Sequence, residues 1–227
     1  MTTKSIDLIL IRHGETSWNV ERRLQGHLDI ALNDNGMAQA QALADALGKE
    51  QLDAIICSDL QRALQTAQTI AQHNNLPCLV QPAWRERNFG GFEGELISTL
   101  SNRFPVEYAN WRIHNVDSVF PPNAKGECTG ESIRQFHARI ENALLSLVRE
   151  FEGKKIAVIT HGGILECAYR IAHQLPLNAP RQTTMLNASL NRFVLSAENS
   201  EPGSLTLRLV QWGDTTHLTS SLDELSS

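Results

Sequence analysis

The chain has 227 residues, 41% hydrophobic and 20% charged, with a formal net charge of -5. This composition fits a globular chain with a sizeable core, and the acidic balance argues against general affinity for nucleic acid. No stretch approaches the roughly 20 apolar residues that a membrane-spanning helix needs. The first apolar run, 8–11, is short and lies between Asp7 and Arg12, which does not suit a secretory leader. The expectation is a cytoplasmic protein whose partner is neither nucleic acid nor membrane. Cys57, Cys78, Cys128 and Cys167 form no C-x-x-C pair and read as reduced thiols.

Short apolar runs alternate with segments of helical period, the pattern of a mostly parallel sheet covered by helices. Residues 8–11 are the first predicted strand. Asn33 caps a helix with Met37, Ala40, Leu43 and Leu47 on its inner face, stopped by Gly48. Residues 53–58 form the second strand. Ser58 is placed to cap a helix that turns Ala63, Ala67, Ile70 and Ala71 inward. A third strand, 78–82, ends at Pro82. From 92 to 130 the alternation breaks into an aromatic and Pro-Gly-rich insertion, expected to cover one end of the sheet. Ser132 and Gln135 form a capping box for a long helix carrying Ile133, Phe136, Ile140, Leu144, Leu147 and Phe151. The clearest strand lies in 155–163 and opens a helix with Ile164, Leu165, Ala168 and Ile171. Two further strands are predicted at 190–196 and 205–211, before a polar tail. The fold class is therefore α/β, a three-layer α/β/α sandwich spanning 1–227 as one domain, with a small helical insertion near the site.

In an open parallel sheet, ligands sit at the carboxyl ends of the strands. The first strand delivers Arg12 and His13 there. The second delivers Ser58 and, a turn on, Arg62. The third leads to Glu86, and the fourth to His161 and Gly162. Two arginines suit an oxyanion that accepts forked hydrogen bonds, and phosphate fits best. Glycine-rich helix starts after His13 and His161 add N–H donors. One histidine can attack phosphorus while a second, charged, stabilises the transferring group. Glu86 is the candidate acid for the leaving alkoxide, with Glu93 and Glu95 as neighbours able to substitute. No carboxylate cluster or His-rich motif suggests a metal, and no cofactor is expected.

The motifs "RHGET" with Asn19, "RLQG" at 23–26, "SDLQRALQTA" at 58–67, "RERNFGGFEG" at 85–94 and "THGG" at 160–163 resemble the histidine phosphatase superfamily, in its phosphoglycerate mutase-like branch. The resemblance runs in order over most of the chain. It implies His13 as the phosphorylated nucleophile, Arg12, Arg62 and His161 as the rest of the phosphate pocket, and Glu86 as proton donor. It also implies that Asn19, Gln25 and Gly26 lie against phosphate or substrate. "WGDTTHL" at 212–218 resembles a closing segment of this branch, with His217 structural. His27, His73, His114, His137 and His173 read as solvated or packing residues.

The expected activity is hydrolysis of a small phosphomonoester. One alternative is a mutase, in which a substrate hydroxyl replaces water as acceptor. Within 93–130, Arg103, Arg112 and Lys125 stand against Glu93, Glu95, Glu107, Asp117 and Glu127, the opposite of the balance a mutase wants, whereas Arg87 is mutase-like. A non-catalytic phosphate-binding module is the other alternative, and the presence of His13, His161 and Glu86 argues against it. Phe104, Tyr108, Trp111 and Phe120 suit either the insertion's own core or a substrate roof. A homodimer is the default assembly.

Overall fold

Alternate residues of the central strands face opposite ways, and both faces are apolar, so the sheet must be buried on both sides. A computed structural model describes residues 3–198 and 205–222. Its sheet holds six strands: β1 (Thr3–Arg12), β2 (Ala54–Cys57), β3 (Cys78–Val80), β4 (Lys155–Thr160), β5 (Leu190–Glu198) and β6 (Leu205–Asp214), in the order β3-β2-β4-β1-β5-β6. The pairs β1–β4, β2–β4 and β2–β3 are parallel, whereas β5 and β6 are antiparallel additions at one edge.

The helices are α1 (Ser17–Glu21), α2 (Asp34–Leu47), α3 (Gln61–Asn74), α4 (Leu100–Arg103), α5 (Pro105–Arg112), α6 (Ile133–Glu150) and α7 (Gly162–Ala172). Ile9, Ile11, Ile55, Cys57, Ala157 and Ile159 pack with Leu43 and Leu47 of α2 and Ala63, Ala67 and Ile70 of α3. On the other face, Leu8, Leu10, Ile56, Ile156 and Val158 meet Phe136, Ile140, Leu144 and Leu147 of α6 and Ile164, Leu165 and Ala168 of α7. Period two in the strands and period 3.6 in the helices thus produce the three layers. No helix among the described residues is long and apolar enough to cross a membrane.

The Ser132–Gln135 capping box forms as expected, as does the Asn33 cap. Two local expectations fail. Ser58 does not cap α3: the N-cap is Leu60, without a side-chain cap, and the Ser58 hydroxyl accepts from Leu60 N–H at 3.3 Å within the turn. Met37 is 47% exposed, because the inner face of α2 is rotated to bury Gly36 and Gln39 beside Ala40 and Leu43. The insertion has its own small core of Leu24, Phe89, Phe92, Leu100 and Phe120, against which Phe104, Tyr108 and Trp111 pack. The end of the polar tail, 223–227, lies outside the described residues.

Gly36 explains why α2 sits so close to the segment after β1. A Cβ there would stand 2.0 Å from the Glu15 carbonyl oxygen, and one on Gly14 would stand 2.6 Å from the Gly36 carbonyl oxygen. Backbone cannot yield as a flexible side chain can. Gly36→Ala would ordinarily favour a helix, but here overpacking should win and cost about 1–3 kcal/mol. Urea denaturation checks this, and a midpoint at or above that of the parent chain would show the contact to be soft.

Candidate active site

The carboxyl ends of β1, β4 and β2 meet at one edge of the sheet. Arg12 closes β1 opposite Thr160, the last residue of β4. His13 N–H donates to the Thr160 carbonyl at 2.9 Å, so the parallel ladder delivers His13 and His161 side by side. Their ring centroids are 5.2 Å apart, with planes at 60°. Arg62 joins them from the first turn of α3. Arg12, His13, Arg62 and His161 are all buried.

His13 Nδ1 lies 2.7 Å from the Gly14 carbonyl oxygen. A carbonyl only accepts, so Nδ1 carries the proton and Nε2 keeps its lone pair. Burial, followed by the charges of Arg62 and Arg12, holds His13 well below its ordinary pKa. It is a neutral imidazole at neutral pH. Burial also holds His161 well below its ordinary value, with Arg62, His13 and Arg12 adding to the effect. Both ring nitrogens of His161 are buried without a hydrogen-bond partner among the described residues. With no acceptor beside it among the described residues and two guanidinium groups opposing its proton, His161 is held toward its neutral form.

The arginines also hold the walls. Arg62 Nη2 donates to the Gly26 carbonyl at 2.7 Å and Nη1 to the Leu28 carbonyl at 2.9 Å, fixing the loop of Gln25 and Gly26. Arg12 Nη1 donates to the Met185 carbonyl. Glu86 accepts from Arg87 N–H at 2.7 Å through Oε1 and from Gly163 N–H, in the first turn of α7, at 3.0 Å through Oε2. A Cβ on Gly163 would lie 2.2 Å from Glu86 Oε1, so a side chain there would displace the carboxylate from its present place on this turn.

Sequence reasoning missed the clamp that positions Glu86. Arg139 donates to the carbonyls of Ala83, Arg85 and Glu86 while pairing with Glu131. His27 Nε2 also meets the Glu86 carbonyl at 2.8 Å. Glu93 stands elsewhere: its Oε1 accepts from His27 N–H and Phe89 N–H, both at 2.9 Å, and burial raises its pKa. It pins loops behind the wall.

The residues enclose a cleft of about 920 Å³. Of the predicted site residues, Arg12, His13, Gln25, Gly26, Arg62, Glu86 and Gly162 line it. His161 lies beside His13, buried beneath the wall. Asn19 is not on the wall: it forms a capping box with Thr16, its Oδ1 accepting from Thr16 N–H at 2.9 Å. Tyr108 and Trp111 belong both to the insertion's core and to the cleft lining, so the two readings of these aromatics meet. Phe104 and Phe120 serve the insertion's core. His114 and His137, which had been given no role, line the outer cleft.

A second missed wall is the irregular stretch 177–185. Arg170 holds it by donating to the carbonyls of Pro176 and Ala179 at 2.9 and 2.7 Å while pairing with Glu166. It has no period, and the one available signal was a cationic residue in the last turn of the preceding helix. Among the described residues, no group of three or more His, Cys, Asp or Glu is placed to hold a metal ion. Two histidines, two arginines and a carboxylate at one edge can bind an oxyanion, attack it from a neutral imidazole and exchange a proton.

Comparison with known proteins agrees with this geometry. A family model described as histidine phosphatase superfamily (branch 1) matches residues 8–207. A phosphoglycerate mutase-like protein 4 of Arabidopsis thaliana is 36% identical over 214 residues, 93% of this chain and 86% of that protein. A metal-independent phosphoserine phosphatase of the same plant is 33% identical over 216 residues, 94% and 84% of the two chains. The crystal structure of a mutant phosphoserine phosphatase from Entamoeba histolytica in complex with phosphoserine superposes with a TM-score of 0.76 at 28% identity, covering 94% of this chain and 99% of that one.

The His13 environment sets a pH expectation. Its depressed pKa leaves it neutral at and somewhat below its ordinary value of about 6.5, and it protonates only at lower pH. NMR titration of the His13 imidazole should give a midpoint well under 6.5. Arg62→Gln removes the second cause of the shift and should move the midpoint upward, though burial keeps it depressed. A midpoint at or above 6.5 in the parent chain would contradict the neutral imidazole.

Proposed function

The chain belongs to the histidine phosphatase superfamily, branch 1, and from that premise we propose that it hydrolyses a small phosphomonoester through a phosphohistidine on His13. The observation that carries this reading is the Gly14 carbonyl bond. It commits the Nδ1 proton and leaves Nε2 as a nucleophile beside Arg12, Arg62 and His161. Nε2 attacks phosphorus as the ester oxygen leaves. The Glu86 carboxylic acid protonates that oxygen, and its carboxylate then takes a proton from the water that attacks the phosphohistidine. Arg12 and Arg62 neutralise the equatorial oxygens. An oxyanion between the rings supplies the acceptor that His161 lacks and favours its charged form there. Asn19 acts through the turn it caps. The cytoplasm is the proposed compartment, and the substrate is a soluble metabolite.

The cleft also supports a finer reading of the substrate. The residue count over 93–130 suggested an acidic insertion, yet none of those five acids lines the cleft. Arg112 does, joined by Arg22, Arg87 and Arg181 from other segments. Arg87 is buried, stacks 4.7 Å over Phe120, and has no carboxylate within ion-pair distance among the described residues. Burial lowers its pKa to about 10, so it remains cationic at neutral pH. A second anionic group on the substrate suits it. We therefore favour a phosphomonoester carrying a carboxylate, the class that phosphoserine represents in the Entamoeba complex. The same arginines keep the mutase reading in play, with acceptance of the phosphoryl group by a substrate hydroxyl as its mark.

Rapid acid quench with labelled substrate should trap acid-labile phosphate on the parent chain and none on His13→Ala. Turnover without any labelled intermediate would remove the covalent route. Label that reappears on a second substrate position, not as inorganic phosphate, would select the mutase.

A substrate comparison tests both the acid and the carboxylate. Phosphoserine and phosphoethanolamine differ by one carboxylate, and kcat/KM should favour phosphoserine by about tenfold or more, since a charged hydrogen bond contributes about 1.5–3 kcal/mol. Glu86→Gln should lose roughly 10²–10⁴-fold on such alkyl esters and far less on nitrophenyl phosphate, whose leaving group needs little protonation. Glu93→Gln should affect all three alike. A leaving-group-dependent loss in the Glu93 variant instead would move the acid role to that residue.

A further inference from the structure

Cys57 ends β2, fully buried, and Cys78 begins β3, half-buried at the sheet edge. Their Sγ atoms are 3.2 Å apart. The proposed phosphatase chemistry uses neither thiol. The two are diagonal neighbours on one face, since Ile55 registers with Cys78 and Cys57 with Val80. Strand spacing and rise put such α-carbons about 8 Å apart, beyond the roughly 6.8 Å that a relaxed disulfide spans. A bond of about 2.05 Å thus needs β3 to move. It can, because it is three residues long, pairs only with β2, and leaves Leu79 and Val80 exposed.

We propose that Cys57 and Cys78 form a reversible disulfide under hydrogen peroxide, and that this bond lowers turnover at the cleft. The regulatory half rests on the phosphatase reading above. Peroxide takes the outer thiolate to a sulfenic acid: Cys78 sulfur gains oxygen, the O–O bond breaks, and hydroxide leaves. Cys57 sulfur then attacks Cys78 sulfur, the S–O bond breaks, and the hydroxyl departs as water with the Cys57 proton. Two thiols and one peroxide become one disulfide and two waters. The order follows from access, with Cys78 at the edge and Cys57 behind it. It also agrees with the hydrogen bond between the thiols, which raises the Cys57 pKa and lowers that of Cys78.

The route to the cleft is short. Gln81 N–H donates to the Cys57 carbonyl at 2.9 Å. Beyond it, Arg85 pairs with Asp59 through two hydrogen bonds of 2.7 and 2.6 Å. Glu86 follows Arg85, and Arg62 lies one helical turn after Ser58. Sliding β3 along β2 therefore shifts the strand leading to the proposed acid against the one leading to a phosphate-binding arginine.

Trypsin separates the two cysteines, placing Cys57 in peptide 50–62 and Cys78 in peptide 63–85. After mild peroxide and alkylation without reduction, the two peptides should be recovered joined. The kcat/KM for nitrophenyl phosphate and for an alkyl phosphate should fall roughly tenfold or more, since an ångström of misplacement can cost about 10²-fold. Dithiothreitol should reverse both changes. Cys78→Ser, with Cys78→Ala as a second variant at this edge position, should give no joined peptide and keep its activity at the same dose. Separate peptides after treatment, whether still thiols or carried to sulfinic acid, overturn the bond. Joined peptides with unchanged activity, or an equal loss in the Cys78 variants, overturn the switch. A reduced chain inactive on every phosphomonoester defeats the phosphatase reading instead, while the peptide map still decides the disulfide.

Discussion

The parallel pairing of β1 with β4 is the constraint on which the site depends. It aligns Arg12 with Thr160, and the His13 N–H bond to the Thr160 carbonyl carries the ladder one residue past the strand. A slip of one residue would turn the alternate faces over, because side-chain direction has period two. Ile9 and Ile11 would then exchange cores with Leu8 and Leu10. The apolar surfaces that hold the three layers together therefore also fix the approach of two imidazoles.

Around this pair, polar groups serve mainly to hold backbone. Glu15 is buried in the "RHGET" motif yet faces away from the cleft chemistry, accepting from the side-chain amides of Asn33 and Asn35. Asn187 donates to the His13 carbonyl at 3.1 Å, and Ala188 N–H to the Arg12 carbonyl. The closing segment reaches the same place: His217 Nε2 lies 3.0 Å from the Ala188 carbonyl. Arg139 does for the Glu86 loop what Arg170 does for 177–185. Each arginine directs its fork at carbonyls of irregular chain, which lacks the ladder bonds of a strand. The reacting groups are thus held by a framework of backbone-directed hydrogen bonds.

The electrostatics have a direction. Guanidinium groups that bind an oxyanion also disfavour protons on both imidazoles, so the pocket that attracts phosphate keeps the nucleophile unprotonated. Burial works the same way and is the larger cause for both rings. The Gly14 carbonyl opposes it at His13, raising basicity slightly while setting the tautomer.

The sequence by itself determined the layers and the places of the central strands, though not the start of β1 at Thr3, because hydrophobic period and capping residues are local signals. β1, β2 and β4, the helices after them and the Ser132 box could be read from a few residues each. It also determined the four groups at the sheet edge, since in a parallel sheet whatever follows a strand's carboxyl end must appear there. Only the tertiary structure decided what depends on distant chain. It rotated α2 to bury Gly36 against Glu15 and moved the α3 cap to Leu60. It put Glu86 on the wall and Glu93 behind it, although the two lie seven residues apart in one motif. It made the cleft basic although the insertion is acidic, because Arg22, Arg87 and Arg181 converge from three segments while the insertion's acids face elsewhere. A count along the chain weighs all charges equally, whereas a cleft feels only those that folding turns toward it.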